Sequence, residues 1–139
     1  MSDDDATDPT AITLIAVTVE DVVTALETNR RSDRHTVLRV TPPFSGRMRA
    51  RIHRPAAADD PAAIHLDPSA FVEDPPPYPH PDETADRLRE AGRYTTERHH
   101  DRHTAAVDAW RDTVRDTLAD TVDLPASNES HLVDVAYLG

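Results

Sequence analysis

Polar and apolar positions alternate with a period of two in residues 35–41 and again in residues 47–54. Between them lie Pro42, Pro43, Phe44, Ser45 and Gly46, a five-residue turn. The pattern predicts a β-hairpin over residues 35–54. Leu38 and Val40 share one face with Met48, Ala50 and Ile52, and that face is expected to be buried. The opposite face carries Val37, Arg39 and Thr41 on one strand and Arg47, Arg49, Arg51 and His53 on the other. Pairing Thr41 with Arg47 across the turn sets Arg39 directly opposite Arg49.

Helical spacing appears elsewhere. Thr18 precedes two acids, and Val19, Val22, Val23 and Leu26 fall at i, i+3, i+4 and i+7, which predicts a capped helix ending near Asn29. Residues 11–17 are apolar enough to be a strand or the lead-in to that helix. A short strand is expected at 63–66 and a brief helical turn within 67–74. The run of prolines from Pro75 to Pro81 must be extended, and its expected role is a stiff connector anchored by Tyr78. Pro81 then opens a helix over 82–91, closed by Gly92. A long helix is predicted near 95–121, capped by Thr95 or Thr96. Its apolar stripe is Val107, Trp110, Val114 and Leu118, extended by His100 and His103. Residues 132–138 alternate as a last strand. The expected fold class is α+β, a small antiparallel sheet of three or four strands backed by two or three helices.

Composition tests that picture. Leu, Ile, Val and Phe number 27 of 139 residues, just under the roughly 20% that marks disordered chains. The periodicity argues for a folded domain over 10–139, preceded by an acidic tail at 1–9 that is expected to be disordered. The tail has neither the basic nor the apolar region of a secretory signal, and no apolar run is long enough to cross a bilayer. The location expected is the cytoplasm.

Charge is distributed unevenly. All 15 basic residues are arginine, 19 of the 26 acids are aspartate, and the net charge is −11. The balance is −7 over residues 1–27, +7 over 28–54 and −11 over 55–139. Such a chain repels itself in dilute buffer and is screened in concentrated salt. Abundant aspartate without lysine is similar to the proteins of extreme halophiles.

The absences exclude much chemistry. With no cysteine there are no disulfides, thiol nucleophiles or thiolate metal sites. The three glycines, Gly46, Gly92 and Gly139, cannot build a Walker A loop, a dinucleotide turn or a nucleophile elbow. Without lysine there is no Schiff-base chemistry. A non-enzymatic binding module without a cofactor is therefore expected.

The contact surface expected is the arginine face of the hairpin, Arg39, Arg47, Arg49 and Arg51, with Phe44 exposed at its tip as an anchor. It suits an anionic partner, either another protein's acidic surface or, as the alternative, nucleic acid. The competing reading is internal, with acids of the same chain covering the arginines. A metal-dependent enzyme using a histidine cluster on the long helix is the third reading. His99 and His103 stand at i, i+4, a spacing that lets two imidazoles share one ion, with His53, His65 or Asp101 as further ligands. The H-E-x-x-H pattern is absent, so these histidines are weak metal candidates. A helix-turn-helix presenting Arg98, His99 and Arg102 is a further alternative.

The segments T-P-P-F-S-G-R-M-R-A-R-I-H (residues 41–53) and R-Y-T-T-E-R-H-H-D-R-H (93–103) resemble those of small, uncharacterised proteins of haloarchaea. The resemblance covers most of the chain after the tail and implies no activity and no catalytic residue.

Overall fold

Ile15 and Val17 are fully buried on one side of a five-residue strand, β1 (Leu14–Thr18), while Leu14, Ala16 and Thr18 stay half-exposed on the other. The apolar run at 11–17 therefore supplies a strand. The structure is a computed structural model, and it describes residues 6–126 and 129–139. The tail expected to be disordered lies outside the described residues from 1 to 5. Residues 6–9 are held: Asp8 caps a 3-10 turn at Pro9–Ala11, and the Ala6 carbonyl accepts from the Phe44 amide at 2.8 Å.

Helix α1 (Val19–Arg31) begins at Thr18, whose hydroxyl accepts from the Asp21 amide at 3.1 Å. Glu20 and Asp21 in its first turn and Arg30 and Arg31 in its last suit the helix dipole. Next come β2 (Val37–Val40), β3 (Arg47–Arg49), β4 (Arg51–His53) and β5 (Ile64–Leu66). A 3-10 turn follows at Pro68–Phe71, capped by Asp67. Helix α2 (Pro81–Glu90) has Pro81 in its first turn and is followed by Gly92 at φ 67°, the left-handed position that favours glycine. Helix α3 (Thr96–Asp116) is capped by Thr95, which accepts from the Arg98 amide at 3.0 Å. The chain ends with β6 (Thr121–Ala126) and β7 (Glu129–Leu138).

These elements make an α+β fold with two small sheets rather than one antiparallel sheet. In the first the strand order is β3-β1-β7-β6, with β1 parallel to both β3 and β7 and β6 antiparallel to β7. In the second the order is β4-β2-β5, all antiparallel. Residues 47–53 belong to both. The Ala50 amide donates to the Ala16 carbonyl at 2.9 Å, so the strand leaves β1 and joins β2 at Ala50.

The predicted hairpin survives as the antiparallel pair β2–β4, with its register moved by two residues. Arg39 lies opposite Arg51, not Arg49, and Val37 lies opposite His53. The cause is competition. The Gly46 carbonyl accepts from the Thr13 and Leu14 amides at 2.8 and 2.9 Å, which draws Arg47–Arg49 onto β1 and lengthens the turn. The long helix also ends earlier than 121, at Asp116, because residues from Thr121 onward pair with β7.

One core fills the space between sheets and helices. Val22, Val23 and Leu26 of α1 and Val107, Trp110 and Val114 of α3 meet Ile15, Leu38, Val40, Ile64, Leu66, Val122 and Leu124. Each fully buried aliphatic side chain of this kind contributes about 1.5–3 kcal/mol. The proline connector wraps the body as expected. Tyr78 is buried edge-on against Trp110, with ring centroids 5.0 Å apart, and the Trp110 indole donates to the Pro76 carbonyl at 3.0 Å.

Candidate functional site

The solvent face of the three-stranded sheet is built by register. On β2, Arg39 is flanked by Arg51 of β4 and His65 of β5, and His53 of β4 sits opposite Val37. Alternation along 47–53 puts Arg51 and His53 on this outer side and Ala50 on the core side, while Arg47 and Arg49 lie just before it on β3, the edge of the four-stranded sheet, beside Leu14 and Ala16. Met48 is half-buried against the core, whereas Ile52, at the edge, is 38% exposed instead of buried.

The arginines divide into two groups. Arg39 is paired inside the chain, with Nη1 3.4 Å from Asp59 Oδ1 and 3.3 Å from His53 Nε2. Arg47 and Arg51 are exposed and Arg49 is half-buried, and none of the three has an ion-pair partner among the described residues. The Arg49 Nε is buried without an acceptor, an unusual condition for a buried donor. The arginines of the helices are mixed: Arg30, Arg87, Arg98 and Arg102 hold no carboxylate among the described residues. Arg89, Arg111 and Arg115 of α2 and α3 each hold a carboxylate.

Phe44 departs from expectation. It is 7% exposed and belongs to the core, tied there through its amide to Ala6, so it is no surface anchor. An apolar side chain in a turn that folds back over β1 gains more from burial than from solvent.

A compact polar cluster lies beside the free arginines. Asp59, in the connection from β4 to β5, has Oδ2 2.8 Å from His53 Nε2, and His65 Nε2 stands 3.8 Å from the same oxygen. The two imidazole centroids are 5.5 Å apart. The Ala56 amide donates to Asp59 Oδ2 at 2.8 Å, fixing the carboxylate in its turn. That amide first, and the His53 hydrogen bond second, hold the Asp59 carboxyl below the usual range. Both histidines were legible as spare ligands. Asp59 was not, because a loop position carries no periodicity.

The predicted pair His99 and His103 does stack, with ring centroids 5.9 Å apart, but each nitrogen that is engaged serves α2. His99 Nε2 bonds the Pro81 carbonyl at 2.8 Å and His103 Nδ1 meets Thr84 Oγ1 at 3.3 Å. Among the described residues, the grouping with metal-ligand spacing is His53, Asp59 and His65, and it includes neither of them. His100, expected on the apolar stripe, is exposed, and His99 takes the inner position instead. Arg98, at the start of α3, donates to the Arg93 carbonyl at 3.1 Å.

The whole chain, residues 1–139, matches the family model described as "Domain of unknown function (DUF8009)". The chain belongs to that family. No curated protein and no solved structure matches it. Among the described residues no helix is long and apolar enough to cross a membrane.

Proposed function

We propose that the protein is a non-enzymatic binding module of a salt-adapted cytoplasm, and that its sheet face takes the acidic surface of another protein. One observation carries this reading: Arg47 and Arg49 of β3 and Arg51 of β4 follow one another in alternation without a carboxylate among the described residues. Had the chain's own acids covered them, the arginines would be structural. Among the described residues, Arg39 alone of the four is neutralised from within. Arginine forks match carboxylates in bidentate geometry, and like charges on neighbouring strands are relieved by an anion set between them.

Protein carboxylates fit better than a phosphate backbone. Nucleic-acid binding built on six to ten phosphate contacts loses about 10³–10⁵ in affinity between 50 and 200 mM salt. A face of three free arginines on a chain of net charge −11 has little to spare.

The test is a native pull-down at molar salt, with and without nuclease, comparing wild type with an Arg49→Ala/Arg51→Ala variant of equal thermal stability. A defined protein that survives nuclease and is lost by the variant is the expected result. Capture abolished by nuclease would move the assignment to nucleic acid. An identical set on both baits overturns the proposal.

A further inference from the structure

We propose that His53, Asp59 and His65 form a binding site for a divalent transition-metal ion of the zinc class, and that Arg39 holds the cation's place until it binds. The inference is independent of the partner-binding reading, because it uses none of Arg47, Arg49 and Arg51.

The donors are already gathered. A metal about 2.1 Å from three tetrahedrally placed donors sets them about 3.4 Å from one another. Asp59 Oδ2 is 2.8 Å from His53 Nε2 and 3.8 Å from His65 Nε2, so the two separations straddle that value. All three donor atoms lie within 4.8 Å of one another, a span that side-chain rotation can close onto one ion. The histidines are placed by ladder register on strands flanking β2, and the Ala56 amide orients the carboxylate from behind. Such an outer contact is what metal-ligating carboxylates require. Two imidazoles and a carboxylate, in a chain with no sulfur donor from cysteine, suit zinc and its neighbours and disfavour soft Cu(I). Three protein ligands leave a fourth position to water or an anion.

A second observation points the same way. His53 Nε2 meets Asp59 Oδ2 at 2.8 Å and Arg39 Nη1 at 3.3 Å. If Nε2 carries the proton it serves Asp59 and faces the Arg39 donor. If the proton is on Nδ1, Nε2 accepts from Arg39 and the short contact with the carboxylate has no hydrogen. No tautomer satisfies both. A metal ion does, since Nε2 and Oδ2 then both give lone pairs to it. Arg39, with 29% of its side chain already exposed, has room to turn outward.

The experiment titrates Zn²⁺, in competition with a chromophoric chelator, into the tag-free full chain, and follows Co²⁺ substitution by its visible absorption. The expected result is one equivalent bound and a four- or five-coordinate cobalt spectrum. His65→Ala and Asp59→Asn each weaken affinity by at least about tenfold. Asp59→Asn retains an oxygen for the Ala56 amide, so it stays folded. Arg39→Ala tightens binding severalfold, and His99→Ala/His103→Ala leaves it unchanged. Uptake no greater than that of a His53→Ala/Asp59→Asn/His65→Ala variant overturns the site. So does binding that follows His99 and His103. An unchanged affinity in Arg39→Ala overturns the role given to that arginine.

Discussion

Glu27 is a buried carboxylate on α1, 7% exposed, and it is the hinge of the ion pairing between helices. Arg111 of α3 grips it with both arms, Nε to Oε1 at 2.6 Å and Nη2 to Oε2 at 2.9 Å, and the Tyr78 hydroxyl donates to Oε2 at 3.3 Å. Arg111 is the main reason that the carboxyl lies below its ordinary range, with burial opposing. A depressed carboxyl pKa stabilises the fold above the unfolded value, and that contribution is lost as pH falls through the folded value. Arg111→Met leaves the buried carboxylate with only the Tyr78 hydroxyl and a long 3.8 Å ion pair to exposed Arg31, so it should cost about 2–3 kcal/mol at neutral pH. The deficit should shrink as pH falls below the unfolded-state carboxyl value of about 4.3 and on through the lower value of the folded state. Urea denaturation of both proteins at pH 7 and pH 3 checks this, and an equal deficit at both would refute it. The exposed pairs Arg89–Asp86 and Arg115–Asp112 are worth only tenths of that.

At the scale of elements, caps set the boundaries. Thr18 ends β1 and starts α1 with the same residue, its hydroxyl taking the Asp21 amide. Thr18→Ala should cost about 1 kcal/mol, read as a lower urea midpoint with an unchanged slope. Such caps were legible in the sequence, and so were α1, α2, the start of α3 and the wrapping connector through Tyr78. Each depends on residues within a few positions of one another. What stayed hidden is non-local. Nothing near residues 47–49 signals that β1 is their partner, so the hairpin register predicted from the turn was two residues out. Strand β6 went unassigned because Val122 and Leu124 make too short an alternation to signal a strand beside the long apolar stripe. For the site, the free arginines were visible as a period-two pattern. The union of His53 with His65 needed β5 beside β2, and Phe44 needed the Ala6 segment folded over it.

The whole molecule carries a charge of −11, concentrated outside residues 28–54. Raising salt from about 0.1 M to about 1 M shortens the Debye length from about 10 Å to about 3 Å. Screening weakens the exposed ion pairs, each worth under about 1 kcal/mol, but it also weakens a repulsion summed over the whole surface. Repulsion is the larger sum at this net charge. The melting temperature should therefore rise across that range in potassium chloride, and a flat or falling series would show the acids to be locally compensated.

The strand shared between the two sheets bears on how the molecule comes apart. Below Ala50 its backbone is committed to β1, and beyond it to β2, while the Ile52 amide reaches back to the Asp21 carboxylate at 3.4 Å. Peeling off either sheet strips half of this one strand and leaves its amides orphaned beside an exposed core. Neither sheet should then unfold as a separate foldon, and melts followed by different probes are expected to coincide in one transition.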